Sequence, residues 1–363
     1  LPFESMMHLH AEVGGAVDSV VPITVREFRV DDEKCWDDFV RACPEATFFH
    51  LSGWKGIIER VFHHRTRYLL AERGDRIVGV LPLAEVKSRL FGHAVTSLPF
   101  GVYGGCAVTD QAAIAPLHAA AATYAESTGA AHLEMRNRFA REPGWPRQDL
   151  YVTFRKELLP DAEANMNAIP RKQRAMVRKG IKAGLASEID ETVDRFFDLY
   201  ADNVHRHGTP PFPRAYFAEL KRVFGDACEA MIVVDAERRP VSGVLSFYFR
   251  DEVLPYYAGD YTTARDLAAN DFKYWELMRR ACERGLRVFD YGRSKRGTGS
   301  FDFKKNWGFE PEPLQYEYQL FKTDRVPENN PLNPKYQLMI RTWRRLPRPV
   351  VNFIGPYLVR SLG

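Results

Sequence analysis

The feature that most limits how this chain can fold is an internal repeat. The segment starting at Tyr68, YLLAERGDRIVGVLPLAEV, and the one starting at Met231, MIVVDAERRPVSGVLSFYF, each read as a strand, a charged turn and a second strand. Both second strands carry Gly-Val-Leu, at residues 79–81 and 243–245. A further strand candidate follows each hairpin, TSLPFGVYGG near 96–105 and VLPYYAGDY near 253–261. A helical stretch comes next, closed by a glycine and a last strand. There TYAESTGAAHLEMR aligns Gly129 and Glu134 with Gly285 and Asp290 of RRACERGLRVFDYG. A glycine just past a helical pattern accepts the left-handed conformation that stops the helix. This shared order predicts two copies of a β-hairpin–β–α–β unit. Helices precede each copy: DEKCWDDFVRAC and GWKGIIERVFHH the first, VDRFFDLYADNVHRHG and RAYFAELKRVFG the second. Two unrelated α/β domains are the alternative. The expected division is a lead-in at 1–22, units at 23–155 and 156–325, and a tail at 326–363.

With 363 residues there is room for two domains, and 45% hydrophobic with 13% aromatic residues supplies a substantial core. The five cysteines are dispersed, with no CxxC pair and no His/Cys ligand cluster. That usage fits a reducing compartment and argues against a disulfide framework or a structural zinc; no metal or bound cofactor is implied. The opening LPFESMMHLHAEVGG has no basic region leading into an apolar core, and no run reaches the length of a membrane span. The expectation is a soluble cytoplasmic protein.

Net charge is only +4, so the placement of charge matters more than its sum. Residues 169–184, IPRKQRAMVRKGIKAG, hold six cations and no acid. Pro170 suits a first helical turn, and Arg171, Arg174, Arg178 and Lys182 fall on one helical face. A solvated face usually mixes signs, because like charges at helical spacing destabilise it. An anionic partner is therefore weighed against a solvated face. The tail, 329–363, also lacks acids and interleaves arginines with Trp343, Phe353 and Tyr357. It suits peripheral contact with a membrane surface or a partner groove, or a strap along the domains.

Residues 289–309, FDYGRSKRGTGSFDFKKNWGF, form the strongest candidate site. Phe289-Asp290-Tyr291 reads as a strand leaving the sheet, the glycine-rich stretch as a loop, and LQYEYQLF as the last strand. The loop is no Walker motif, because no Gly-Lys-Ser/Thr follows its glycines. It still offers backbone N–H groups and the cations Arg293, Lys295 and Arg296. Phe303, Trp307 and Phe309 would anchor its far side as core or as a ligand platform, leaving Lys304 or Lys305 to point into a cleft. His205 and His207 sit beside Gly-Thr-Pro-Pro, to meet substrate or to cap a helix end. Neither a Ser-His-Asp nor a Cys-His arrangement is evident, so a covalent acyl-enzyme is not expected.

The order of elements resembles a tandem of the acyltransferase fold of the GNAT N-acetyltransferases. FDYGR…GTGSFDFKKNWGF, with HRHGTPPFPRAYF (205–217) and YYAGD (256–260), resembles the FemAB-like proteins. It looks most like the subgroup associated with exosortase and PEP-CTERM systems, which the tail NPKYQLMIRTWRRLPRPVVNFIGPYLVRSLG is also similar to. The resemblance implies an α/β (α+β) fold of tandem GNAT-like domains, each a mixed, mostly antiparallel sheet flanked by helices. It implies transfer of an aminoacyl or acyl group to an amine of a cell-envelope or exopolysaccharide-related precursor. By position, Arg293 would bind an anionic part of donor or acceptor, with Lys295, Arg296, His207, Trp307 and Tyr291 around the substrate. Lys305 would stabilise developing charge, Lys304 being the alternative, and Asp260 and Tyr257 would position the amine or take its proton. Coenzyme A users of this fold carry a glycine-rich loop before the helix. Here that position reads TTARDLAANDFKYW, which favours an aminoacyl-tRNA donor over acyl-CoA, as does the basic helix. An acyl-CoA enzyme, and a non-catalytic binder of an anionic glycan or lipid headgroup, are the competing readings.

Overall fold

The structure, a computed structural model, describes residues 21–88, 92–327 and 340–361. Most of the lead-in and part of the tail lie outside the described residues.

The first unit runs β1 (Ile23–Glu27), α1 (Glu33–Ala42), α2 (Gly53–Phe62), β2 (Arg65–Arg73), β3 (Arg76–Ser88), β4 (Gly92–Ser97), β5 (Ala107–Val108), α3 (Ile114–Thr128), β6 (His132–Asn137) and β7 (Arg147–Gln148). The chain continues through β8 (Tyr151–Glu157), α4 (Ala162–Ala168) and α5 (Arg171–Lys182). The second unit follows as β9 (Ala186–Asp190), α6 (Asp194–His207), α7 (Arg214–Phe224), β10 (Cys228–Val234), β11 (Pro240–Phe249), β12 (Glu252–Asp260), α8 (Ala269–Glu283) and β13 (Val288–Asp290). Then come β14 (Ser294–Lys295), α9 (Gly299–Asn306), β15 (Pro311–Pro313), β16 (Gln315–Leu320) and, in the tail, α10 (Arg348–Val359). The expected repeat is present, as β2-β3-β4-α3-β6 and β10-β11-β12-α8-β13.

Local sequence accounts for these elements. In α6 the apolar Phe196, Leu199 and Tyr200 recur at helical spacing and are buried. Gly129 ends α3 with φ +75°, and Gly285 ends the α8 turn with φ +72°, as expected from the helix stop signals.

The strands form two mixed sheets, ordered β1-β2-β3-β4-β6-β16-β7 and β9-β10-β11-β12-β13-β8-β14. In each, one central pair is parallel, β4 with β6 and β12 with β13, and its neighbours are antiparallel. The sheets do not divide at residue 155. β8 completes the second sheet beside β13, and β16, the last strand, crosses back to pair with β6 of the first. One hydrophobic cluster spans both units, where Phe48 stacks on Phe247 with ring centroids 4.3 Å apart.

One expectation fails locally. The glycine-rich loop ends early, because Gly299–Asn306 is a helix, with Thr298 at its N-cap accepting from the Phe301 N–H.

Candidate active site

β12 and β13 are hydrogen-bonded only through Glu252 with Val288 and Val253 with Phe289. β12 continues to Asp260, so beyond Val253 its edge facing β13 has no strand beside it among the described residues. The register with β11 also slips there. Tyr257 faces Leu245 and Pro255 faces Ser246, leaving Tyr256 as an extra residue. Such a bulge bends the strand and re-aims its side chains.

The gap opens into a cleft of about 430 Å³. Its walls are Tyr256 and Tyr257 of β12, Tyr291 to Arg293 after β13, Ser300 and Lys304 of α9, and Phe100 and Val102 of the first unit. A second cavity of about 570 Å³ lies on the first sheet, over Glu134, Arg136 and Tyr316. Arg293 lines both cavities.

Arg293 is exposed, and its guanidinium lies 4.6 Å from the centre of the Tyr151 ring and 6.0 Å from that of Tyr316. Although it opens onto the cavities, the protein packed around it works against its charge, and the electron-rich rings and phenol oxygens of Tyr316, Tyr151 and Tyr256 offset this, so the guanidinium stays protonated. Among the described residues it has no carboxylate partner within ion-pair distance. A guanidinium placed this way is an anion site, since its fork of donors matches carboxylate and phosphate oxygens.

Its turn is braced from below. Asp290 is fully buried and accepts from the Gly292 N–H (2.7 Å), the Tyr103 hydroxyl (3.0 Å) and Arg155 Nη1 (2.5 Å). Gly292 has φ +63°, a conformation that glycine adopts without strain. Lys304 is 7% exposed, and its Nζ donates to the carbonyls of Tyr291 (2.7 Å), Gly292 (3.1 Å) and Arg293 (3.3 Å). Burial pushes this ammonium down to about 7, while three carbonyl acceptors favour its charged form. Lys304 thus fixes the carbonyls of the Arg293 turn and adds positive potential to the cleft floor.

Four phenols complete the wall. Tyr257 shares a 2.9 Å hydrogen bond with Tyr216, and Tyr256 donates to the Phe100 carbonyl at 2.7 Å. Tyr291 and Tyr274 pack with centroids 4.9 Å apart, and the Tyr291 hydroxyl is buried without a protein partner. Burial raises all four above the ordinary phenol value, so they act as neutral hydrogen-bonding groups.

Of the residues expected at the site, the fold brings together Arg293, Lys304, Tyr257 and Tyr291. The others fall elsewhere. Lys305 is exposed, because the next helical position turns it away from the cleft. Asp260 lies outside the cleft, where it accepts from Ser242 and ion-pairs at 2.8 Å with the fully buried Lys273. Trp307 is 1% exposed and donates to Asp271 at 2.9 Å, so it is core. Lys295 lies in β14, paired with Tyr151 of β8, Arg296 donates to the Asp149 carbonyl, and His207 ends α6 on the surface. Arg171, Arg178 and Lys182 lie exposed along α5, and Arg174 donates to the Asn167 carbonyl at 3.0 Å. Tyr256, Tyr274, Ser300 and the first unit's Phe100 and Val102 were not anticipated. Only Tyr256 carried a signal, as the neighbour of Tyr257 in a strand headed for the cleft.

Residues 166–305 match the family model described as Acetyltransferase (GNAT) domain. No curated protein matches by sequence. Among solved structures, FemX superposes with a TM-score of 0.65 at 15% identity, over 87% of this chain and 100% of that one. The C-terminal domain of a putative lysylphosphatidylglycerol synthetase from Agrobacterium fabrum gives 0.54 at 11%, over 80% and 92%. A tandem GNAT protein from the clavulanic acid biosynthesis pathway gives 0.51 at 13%, over 84% and 100%. The chain therefore has the fold of FemX and of a tandem GNAT protein, and its residues 166–305 are similar to the GNAT acetyltransferase domain.

Proposed function

We propose that this chain is an N-acyltransferase of FemAB type, moving an aminoacyl or acyl group onto an amine at the cleft between β12 and β13. The observation that carries this reading is the guanidinium of Arg293, without a carboxylate partner among the described residues, at the meeting point of two cavities. Two substrates can approach it from different sides. Attack of an amine on an ester or thioester carbonyl forms an oxyanion, which needs fixed donors and positive charge more than a nucleophilic side chain. Arg293 and the free edge of β12 supply donors, and Lys304 adds positive potential when it carries its proton. Alignment of the two substrates in a rigid cleft supplies much of the remaining rate.

The donor we favour is aminoacyl-tRNA. Ala264 and Leu267, just before α8, and Ala269, its first residue, pack with Leu185 and Phe272. Apolar packing of this turn leaves little room for the pyrophosphate that a helix N-terminus otherwise attracts. The exposed cations of α5 suit a phosphate backbone. The acceptor we infer is an amine-bearing envelope or exopolysaccharide precursor, as the resemblance to the exosortase-associated subgroup suggests. An acyl-CoA donor is the second reading, favoured by the match to an acetyltransferase domain.

Arg293→Ala tests the site. Product formed from bulk charged tRNA and an envelope-precursor extract should fall by about a hundredfold or more, the scale on which removal of a charge-stabilising donor acts. Its thermal midpoint should stay close to that of the parent. Product formation within a few-fold of the parent would remove Arg293 from the reaction.

A further inference from the structure

We propose that the outer face of α10 docks on a bilayer surface bearing anionic headgroups. This helix is apolar on two opposite sides. Its inner stripe, Val351, Gly355 and Val359, is buried and holds the helix to the body. The approach is close: a Cβ at Gly355 would stand 2.5 Å from Cδ of Pro211. The outer stripe is Val350, Phe353, Ile354 and Tyr357, spaced by three and four residues, and all are exposed. Phe353 is 71% and Tyr357 62% exposed, with ring centroids 6.1 Å apart. A helix against water carries polar groups on that side, and a contiguous apolar patch marks an interaction surface.

Charge selects the partner. Arg341 and Arg345, in the stretch leading into the helix, and Arg348, its first residue, are exposed, and residues 329–363 contain no acid. Arg348 reaches Asp202 at 3.5 Å, whereas Arg341 and Arg345 have no acidic partner among the described residues. A second copy would set these arginines against each other, while anionic lipid headgroups pair with them. Aromatic and aliphatic side chains beside arginines on a short helix suit an orientation in the interface plane. No helix among the described residues is long and apolar enough to cross a membrane. The same helix walls both cavities, through Val359 on the first and Leu358 on the second, where Ser361, just past its end, also lies. Docking there sets both cavities beside the bilayer, within reach of a lipid-borne substrate.

Cosedimentation of the full chain with phosphatidylcholine vesicles, with and without phosphatidylglycerol, tests this directly. The chain should pellet with the anionic vesicles. The double substitution Phe353→Glu, Tyr357→Glu should cut binding by about tenfold or more without moving the thermal midpoint, since both side chains are exposed. Arg341→Ala and Arg345→Ala should each weaken binding by about fivefold and lessen the preference for anionic vesicles. Three results would overturn the proposal. The parent chain could remain in the supernatant with both vesicle types. The double glutamate variant could bind as the parent does. Or Phe353→Glu could convert a dimer to a monomer in sedimentation velocity with no vesicle binding by either, which would make this face a self-interface.

Discussion

On α9, Lys304 and Lys305 are separated by about 100° of helix rotation, and that angle decides which of them reaches the cleft. Lys304 turns inward onto three carbonyls and Lys305 turns to solvent. Burial lowers Lys304 from an ordinary 10.5 to about 7, so between those values the unfolded chain binds the proton that the folded chain releases. Stability therefore rises with pH across that window, by roughly 1.4 kcal/mol per unit, and the full cost of the buried charge is felt below it. Lys304→Met removes the cost, so its stability relative to the parent should fall by about 2–3 kcal/mol as the pH is raised from about 7 to 9. Urea denaturation at the two pH values checks this, and an offset that does not change with pH would mean the lysine keeps its charge throughout. The sequence offered Lys304 and Lys305 as alternatives and could not choose. Phe301-Asp302-Phe303 alternates as a strand does, and the glycines on either side suggest a loop. The choice was made by the Thr298 cap and by burial of Trp307, which set the rotation of the helix.

Among the elements, β12 decides where the cleft forms. Its glycine, Gly259, lies against the backbone of α6: a Cβ there would meet the Tyr200 nitrogen at 2.4 Å. That neighbour is main chain and cannot swing aside. Gly259→Ala should therefore destabilise by about 1–3 kcal/mol, read from urea midpoints, and should slow transfer by displacing the cleft wall. A midpoint and rate equal to the parent's would show that β12 can shift without consequence. The repeat itself was legible because glycine stops and hairpins leave local marks. The exchange of β8 and β16 was not, since LQYEYQLF alternates in a way that suits either sheet. Its placement depends on contacts far apart in sequence, such as Arg155 of β8 with the buried Asp290 of β13.

Across the whole molecule, the two units act as one scaffold for a site that neither forms alone. Phe100 and Val102 of the first unit wall the cleft of the second, and Tyr103 holds Asp290 beneath the Arg293 turn. None of this was readable from spacing, because it arises where the two copies meet. Under the proposed function, the cleft takes an aminoacyl donor through Arg293. The thermal midpoint of the full chain with bulk charged tRNA, uncharged tRNA or CoA, repeated on Arg293→Ala, decides this. A ligand at about a hundred times its Kd stabilises by about 2.7 kcal/mol, a rise of several degrees for a chain of this size. The prediction is such a rise with charged tRNA, a smaller one with uncharged tRNA, none with CoA, and loss of most of the increment in the variant. A rise with CoA alone, or one with charged tRNA that Arg293→Ala leaves intact, would contradict it.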